Sequence, residues 1–314
     1  MEASDAVGGR VRTDSHQGFL LDRGFQVFST AYPEANKALD YDALQLSAFY
    51  PGALVYTQGS FHRFADPWRR PFAGLRSLFS PVGTLRDKLR IARLRKQSRT
   101  GTLDDLFQRP EKTTLQALQN LGFSDSMIDQ FFRPFLGGIF LENELRTSSR
   151  MLEFVFRMFA EGDATLPQRG MQAIPEQLRS HLSEETVRLR SPVTALRPGE
   201  VELSDGEVMQ ARAVVVAVEG PEDSRLLEQP MESRSRGVTC LYFATTRSPV
   251  TEPILVLNGS GQGRINNVCV PSSVHSEYSP PGADLVSVSV LGIPELDDVQ
   301  LVSEVKSEMT QWYG

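Results

Sequence analysis

The sequence predicts a mixed α/β fold (α+β mixed), with helices combined with more than one sheet. Three observations lead there. Residues from about 35 to 165 carry mainly helical apolar spacing, a β pattern takes over from about 185, and the final stretch reads as a second sheet followed by a helix.

Ahead of these lies a glycine-punctuated opening. Gly8-Gly9-Arg10 falls in a loop, Gly18-Phe19-Leu20-Leu21-Asp22 reads as a short strand, and Gly24 marks the next turn. In the helical stretch Thr102 and Asp105 form a capping box. Ser124 caps a helix that buries Met127, Ile128 and Phe131. Thr147 or Ser148 starts another, with Leu152, Val155, Phe156 and Phe159 on one face. Phe131, Phe132, Phe135, Phe140, Phe154, Phe156 and Phe159 fit an aromatic-rich core, or the wall of an apolar substrate cavity.

Val187–Leu189 and Val193–Leu196 read as short strands, and Val201 and Leu203 lead into the hairpin signal Asp205-Gly206. Ala213–Val218 is a continuous small apolar run, as in a parallel strand covered on both faces. Val238–Ala244, Ile254–Leu257 and Leu285–Leu291 are further strands. In the last, Ser287 and Ser289 alternate with valines, so one face is expected to be wet. Val302, Val305, Met309 and Trp312 then follow helical spacing.

The chain has 314 residues, 40% hydrophobic and 23% charged, enough for about two globular domains with a sizeable core. A net charge of −6 argues against a dedicated nucleic-acid binder, because phosphate contacts need clustered cations. Cys240 and Cys269 are far apart and suggest free thiols in a reducing compartment. No apolar run reaches transmembrane length, and residues 1–20 contain no secretory signal. His16, His62, His181 and His275 form no metal-ligand spacing, so no metal is expected. Gly259-Ser260-Gly261-Gln262-Gly263 lacks the Lys-Ser/Thr of a phosphate loop and reads as a hairpin loop. Arg86–Arg99 is a basic amphipathic helix, either a solvated face or a surface for anionic membranes.

The informative stretch is Glu2-Ala3-Ser4-Asp5-Ala6-Val7-Gly8-Gly9-Arg10-Val11-Arg12-Thr13. An acid at a strand end accepts hydrogen bonds from ribose hydroxyls. Paired glycines let the backbone approach a diphosphate, and Arg10 brings a cation beside it. This stretch resembles the E-x-x-x-x-x-G-G-R-x-x-T signature of the flavin amine oxidase, protoporphyrinogen oxidase and phytoene desaturase group. The resemblance implies FAD, with Glu2 on the adenosine ribose, Ala3 beside it in the cofactor set, and Gly8, Gly9 and Arg10 along the diphosphate and ribityl region. It makes Gly24, Phe25, Gln26 and Val27 flavin neighbours, and places Val193 in the strand whose backbone meets adenine. Leu166-Pro167-Gln168-Arg169-Gly170-Met171 resembles the group's P-x-G-G-M segment, with Arg169 replacing the first glycine. Ala213–Val218 resembles the strand that returns the chain to the flavin domain.

The implied architecture is a partial Rossmann-like FAD-binding domain (1–30 and 165–225) interleaved with a helical plus antiparallel-sheet substrate domain (31–164 and 226–314). The G-x-G-x-x-G unit and the C-terminal flavin segment are not found, so the sequence is expected to be a fragment truncated at both ends. The implied activity is hydride transfer to flavin from an amine or an apolar, carotenoid-like polyene substrate, with no catalytic residue identified. The alternative is a non-catalytic remnant acting as a binding or scaffold protein. Expected partners are a small apolar substrate and a peripheral membrane contact through 85–99, with no nucleic acid. The expected location is the cytoplasm or plastid stroma.

Overall fold

The computed structural model describes residues 1–72, 74, 80–229 and 235–314. The helical expectation over 75–79 lies outside the described residues. The fold is mixed α/β, with helices and four sheets among the described residues. Contacts divide the chain into two units, Met1–Arg12 with Gln172–Arg236, and Thr13–Met171 with Gly237–Gly314. Residues 13–30, expected with the cofactor domain, cluster with the larger unit.

The smaller unit holds an antiparallel meander of Val193–Arg197, Glu200–Leu203 and Val208–Gln210. Asp205-Gly206 lies in its second turn, where Gly206 has φ +89°. Helix Gly220–Leu226 begins with Pro221 in its first turn and docks on the first strand through Arg225. The Arg225 guanidinium donates to the carbonyls of Val193 (2.8 Å) and Thr194 (3.0 Å). Val187–Leu189 does not join this sheet. Its neighbourhood instead bonds the chain's opening residues, with Glu2 N–H donating to Arg188 O at 2.9 Å and Arg190 N–H to Ser4 O at 2.8 Å.

Ala213–Val218 is a correction to the sequence reading. It is not a strand, and it is exposed rather than covered, with Val215 88% accessible. A strand needs a neighbour's N–H and C=O groups, and no strand among the described residues pairs with it.

The larger unit is organised on a six-stranded sheet in the order Val238–Thr245, Asp284–Leu291, Ile265–Cys269, Leu255–Asn258, Gly52–Thr57 and Ser60–Ala65. Every pairing is antiparallel except that of Leu255–Asn258 with Gly52–Thr57. The Gly259–Gly263 segment lies in the hairpin between Leu255–Asn258 and Ile265–Cys269. One sheet face carries Val286, Val288 and Val290 onto Leu301, Val305 and Trp312 of helix Asp298–Tyr313. A second core gathers helices Leu85–Ser98, Thr114–Asn120 and Ser149–Glu161 around Phe131, Phe132 and Leu136. The phenylalanines pack on one another, with Phe131–Phe135 stacked at 5.4 Å and Phe132–Phe156 at 5.9 Å. They fill this core.

The serine face of Asp284–Leu291 is a second correction. Ser287 and Ser289 are buried, not wet. Helix Arg133–Phe140 comes close because Gly137 and Gly138 have no side chains. A Cβ on Gly138 would lie 3.0 Å from Asn266 Nδ2 and 3.2 Å from Asn267 Oδ1.

Two helix starts share one carboxylate. Thr84 caps Leu85–Ser98 in a capping box with Asp87, and Asp87 Oδ2 also accepts from the Ser124 hydroxyl at 2.6 Å. Ser124 in turn caps the helix beginning at Asp125, which passes through a π turn at Ile128–Phe132 into Arg133–Phe140. Burial alone would raise the Asp87 carboxyl, but hydroxyl and N–H donors from Ser124 and Thr84 outweigh it and hold it well below the usual range. Asp87→Ala is expected to cost about 3 kcal/mol in urea denaturation, and Asp87→Asn about half of that. Because the folded pKa is depressed, the gap between the native protein and Asp87→Asn is complete above the ordinary value of 3.8. It closes as pH falls toward the folded value.

Candidate cofactor-binding site

In the smaller unit, Glu2–Ser4 runs beside 188–191, closed by Ser191 N–H on Glu2 O at 2.9 Å. The half-buried Glu2 side chain accepts the Ser4 N–H through Oε1 at 2.8 Å. Ala3 is exposed next to it. The chain then bends at Gly8-Gly9, where Val11 N–H donates to Gly8 O at 2.8 Å. Gly8 has φ +116°, and a side chain there would collide with Val11 O and sit 2.9 Å from Pro175 Cγ. Gly9 has φ +55° and open space on its Cβ side. The bend thus has one walled side and one open side, as a diphosphate cradle requires.

Arg10 is exposed at this bend, whereas Arg12 is buried beneath it. Arg12 pairs with Asp5 at 3.0 Å and donates to Ser4 Oγ at 3.4 Å, while its Nε finds no acceptor among the described residues. The Arg12 guanidinium hydrogen-bonds Asp5 and holds its carboxyl below the ordinary range. A buried guanidinium with an unused donor beside a glycine bend is suited to an anionic ligand. The motif fixed the glycines but gave Arg12 no role; its placement between a glycine loop and the following strand was the available signal. Val193 opens the meander, and its carbonyl is already engaged by Arg225.

In the larger unit, hairpin Thr13–His16/Phe19–Asp22 delivers the turn containing Gly24, Phe25, Gln26 and Val27. Asp22, immediately before that turn, is buried. Its Oδ1 accepts from Thr13 Oγ1 (2.5 Å) and Met171 N–H (2.9 Å), and its Oδ2 from Tyr278 OH (3.0 Å). Its main-chain carbonyl accepts from Tyr242 OH at 2.6 Å. Burial pushes the Asp22 carboxyl up, against those hydrogen bonds. The tyrosine hydroxyls are themselves pushed up, chiefly by burial. Gly170 lets the 167–171 segment close on this hairpin, since a Cβ there would collide with Thr13. Arg169, the departure from the family pattern, is exposed. Local sequence offered no signal for Tyr242 or Tyr278, which lie 220 and 256 residues from Asp22.

The turn rests on strand Val238–Thr245: a Cβ on Gly24 would lie 3.5 Å from Val238 Cγ1, and the Phe25 backbone hydrogen-bonds the Cys240 sulfur. Register sets two polar rows across three strands, Cys240–Ser289–Asn267 and Tyr242–Ser287–Cys269. Cys240 and Ser287 lie 3.2 Å apart, and Asn267 donates to Ser289 Oγ at 3.3 Å. Both cysteines are free, and burial lifts both thiols above their usual range, so they are protonated near neutrality.

The whole chain, residues 1–314, matches the family model described as flavin containing amine oxidoreductase. Comparison with curated proteins gave no match. Among solved structures, a protein of Pyrococcus furiosus is 15% identical with a TM-score of 0.72, covering 99% of this chain and 78% of its own. An oxidoreductase from Methanosarcina mazei is 18% identical with a TM-score of 0.72 and the same coverage, 99% and 78%. Cyclohexylamine oxidase from Brevibacterium oxydans is 13% identical with a TM-score of 0.66, covering 100% and 75%. At such identities the likeness is one of fold.

Because its folded pKa is raised, Asp22 favours the native state fully below the ordinary value of 3.8, and this advantage is lost as pH rises through the folded value. Asp22→Asn is expected to remove that decline from urea midpoints taken between about pH 4 and about pH 8. Parallel curves for the two proteins would contradict this account.

Proposed function

The chain belongs to the flavin-containing amine oxidoreductase family, and from that premise we propose that it is an FAD-dependent enzyme taking a hydride from an amine or an apolar, polyene-type substrate. The observation that carries FAD in particular is the Glu2–Arg12 loop. It joins a carboxylate, a glycine bend open on one side, and a buried guanidinium with an unused donor.

Each group has a role that follows from its chemistry. Glu2 would accept from ribose hydroxyls with the lone pairs left by its Ser4 bond. The Gly8-Gly9 peptides admit the diphosphate, while Arg10 and Arg12 offset its charge. The backbone at Val193 is the segment that would meet the adenine. In the larger unit, Gly24, Phe25, Gln26 and Val27 are the residues that would border an isoalloxazine, and hydrogen bonds on Asp22 anchor the turn that carries them. Bound there, FAD supplies the hydride acceptor. The Cys240 thiol and the Tyr242 hydroxyl beside that turn stay protonated, so they place no charge next to it.

Protein incubated with FAD and then desalted is expected to keep flavin absorbance. Glu2→Gln is expected to weaken FAD about tenfold, or ~1.4 kcal/mol, by equilibrium titration, and Gly8→Val to abolish binding. A folded protein that stays colourless would overturn the cofactor assignment. Anaerobic mixing with alkylamines and, separately, with apolar polyenes then tests the substrate. Bleaching of the flavin by one class identifies it, and bleaching by neither removes the substrate proposal while leaving the cofactor result intact.

A further inference from the structure

Helix Leu85–Ser98 is anchored along one side, where Asp87, Leu94 and Ser98 are buried. At about 100° per residue, Leu85, Lys96, Leu89, Arg93 and Arg86 occupy an outward arc of about 100°. Leu85 is 61% and Leu89 72% exposed. Arg86, Arg93 and Lys96 are exposed on the same arc and make no ion pair among the described residues. Their neighbours Arg90, Arg95 and Arg99 pair with Asp87, Asp66 and Glu161. The helix's one acid, Asp87, is buried, so the outward arc carries cations and leucines with no negative charge, on a chain of net charge −6.

Beside this arc lies an open recess of about 370 Å³ lined by Trp68, Ala92, Arg95, Lys96, Arg99 and Thr100. The Arg95 guanidinium stands over the Trp68 ring at 4.9 Å. Trp68 is 49% exposed and Phe72, four residues on, 86% exposed. Large apolar side chains held in water next to unpaired cations are the features of an interfacial, membrane-facing helix. No described helix is long and apolar enough to cross a membrane, so such a contact is peripheral.

We propose that this face docks on an anionic lipid bilayer. Leu85, Leu89 and Trp68 enter the boundary between headgroups and acyl chains, and Arg86, Arg93 and Lys96 meet lipid phosphates. Charge complementarity favours a lipid surface over an acidic protein. The arc repeats one sign of charge along the helix and offers no carboxylate to fix a partner's register, which suits a diffuse negative surface.

The test is flotation of the full chain with phosphatidylglycerol vesicles and with phosphatidylcholine vesicles, at low and high salt. The protein is expected to float with the anionic vesicles at low salt, to stay behind with the neutral ones, and to be released by high salt. The combined variant Arg86→Glu, Arg93→Glu, Lys96→Glu is expected to bind at least about tenfold more weakly, and Leu85→Ser with Leu89→Ser to weaken binding too. Arg86→Lys with Arg93→Lys should bind as the native protein does, and all variants should melt as it does. If the glutamate variant misfolds, the serine pair carries the test. Absence of flotation on anionic vesicles, or equal flotation on neutral ones, overturns the proposal. So does a lipid-free dimer in sedimentation that the glutamate variant dissolves, which would make the face a protein interface.

Discussion

The carboxylate of Asp22 ties together segments that the chain order keeps far apart. Its two oxygens and its main-chain carbonyl collect donors from the first hairpin, from the 170–171 connection, from strand Val238–Thr245 and from the short 3-10 turn Ser276–Tyr278. The carboxyl is tolerated in such surroundings because both of its oxygens accept hydrogen bonds, three in all. Remove the donors and the carboxyl must take a proton or find water, and the turn from Arg23 to Val27 loses its footing. The position of the candidate flavin neighbours therefore rests on a residue to which the sequence reading gave no role.

Much of the architecture was legible in local pattern. The caps at Thr102, Ser124 and Ser148 formed as their side-chain chemistry dictates, and the strands at Phe19–Asp22, Val193–Arg197, Val238–Thr245 and Asp284–Leu291 appear where alternation placed them. What misled was the inference from a strand's composition to its surroundings. Valine runs state that a segment suits a pleated sheet, but not that a neighbour is at hand, and Ala213–Val218 has none among the described strands. Serine alternation states that a face is polar, but not that it meets water. The Gly137-Gly138 pair brings a helix down on Asn266 and Asn267 of the neighbouring strand, and the buried Ser287 and Ser289 hydroxyls bond Cys240 and Asn267.

The candidate site divides in the same way. Glu2, Gly8 and Gly9 came forward as candidates because ligand chemistry asks for those residue types at that spacing, and the backbone at Gly8 leaves no room for a side chain. Arg12, Asp22, Tyr242 and Tyr278 were not readable, because their significance lies in long-range contacts and burial. A family signature captures residues whose requirement is local; the groups that fix those residues in space are scattered over the chain and each looks ordinary in its own neighbourhood.

The exposed valines of 213–218 also bear on how the protein behaves when concentrated. Six uncharged residues, four of them valines and all but Val216 exposed, form a template for strand addition between molecules, the geometry that nucleates fibrils. Arg212 and Glu219 bracket the run as gatekeepers. Stacking in parallel register would set Arg212 over Arg212 and Glu219 over Glu219 at every rung, whereas an antiparallel pair would set each over its opposite. Salt screens the repulsion that protects against the first arrangement and the attraction that promotes the second, so ionic strength selects which form of self-association this segment favours.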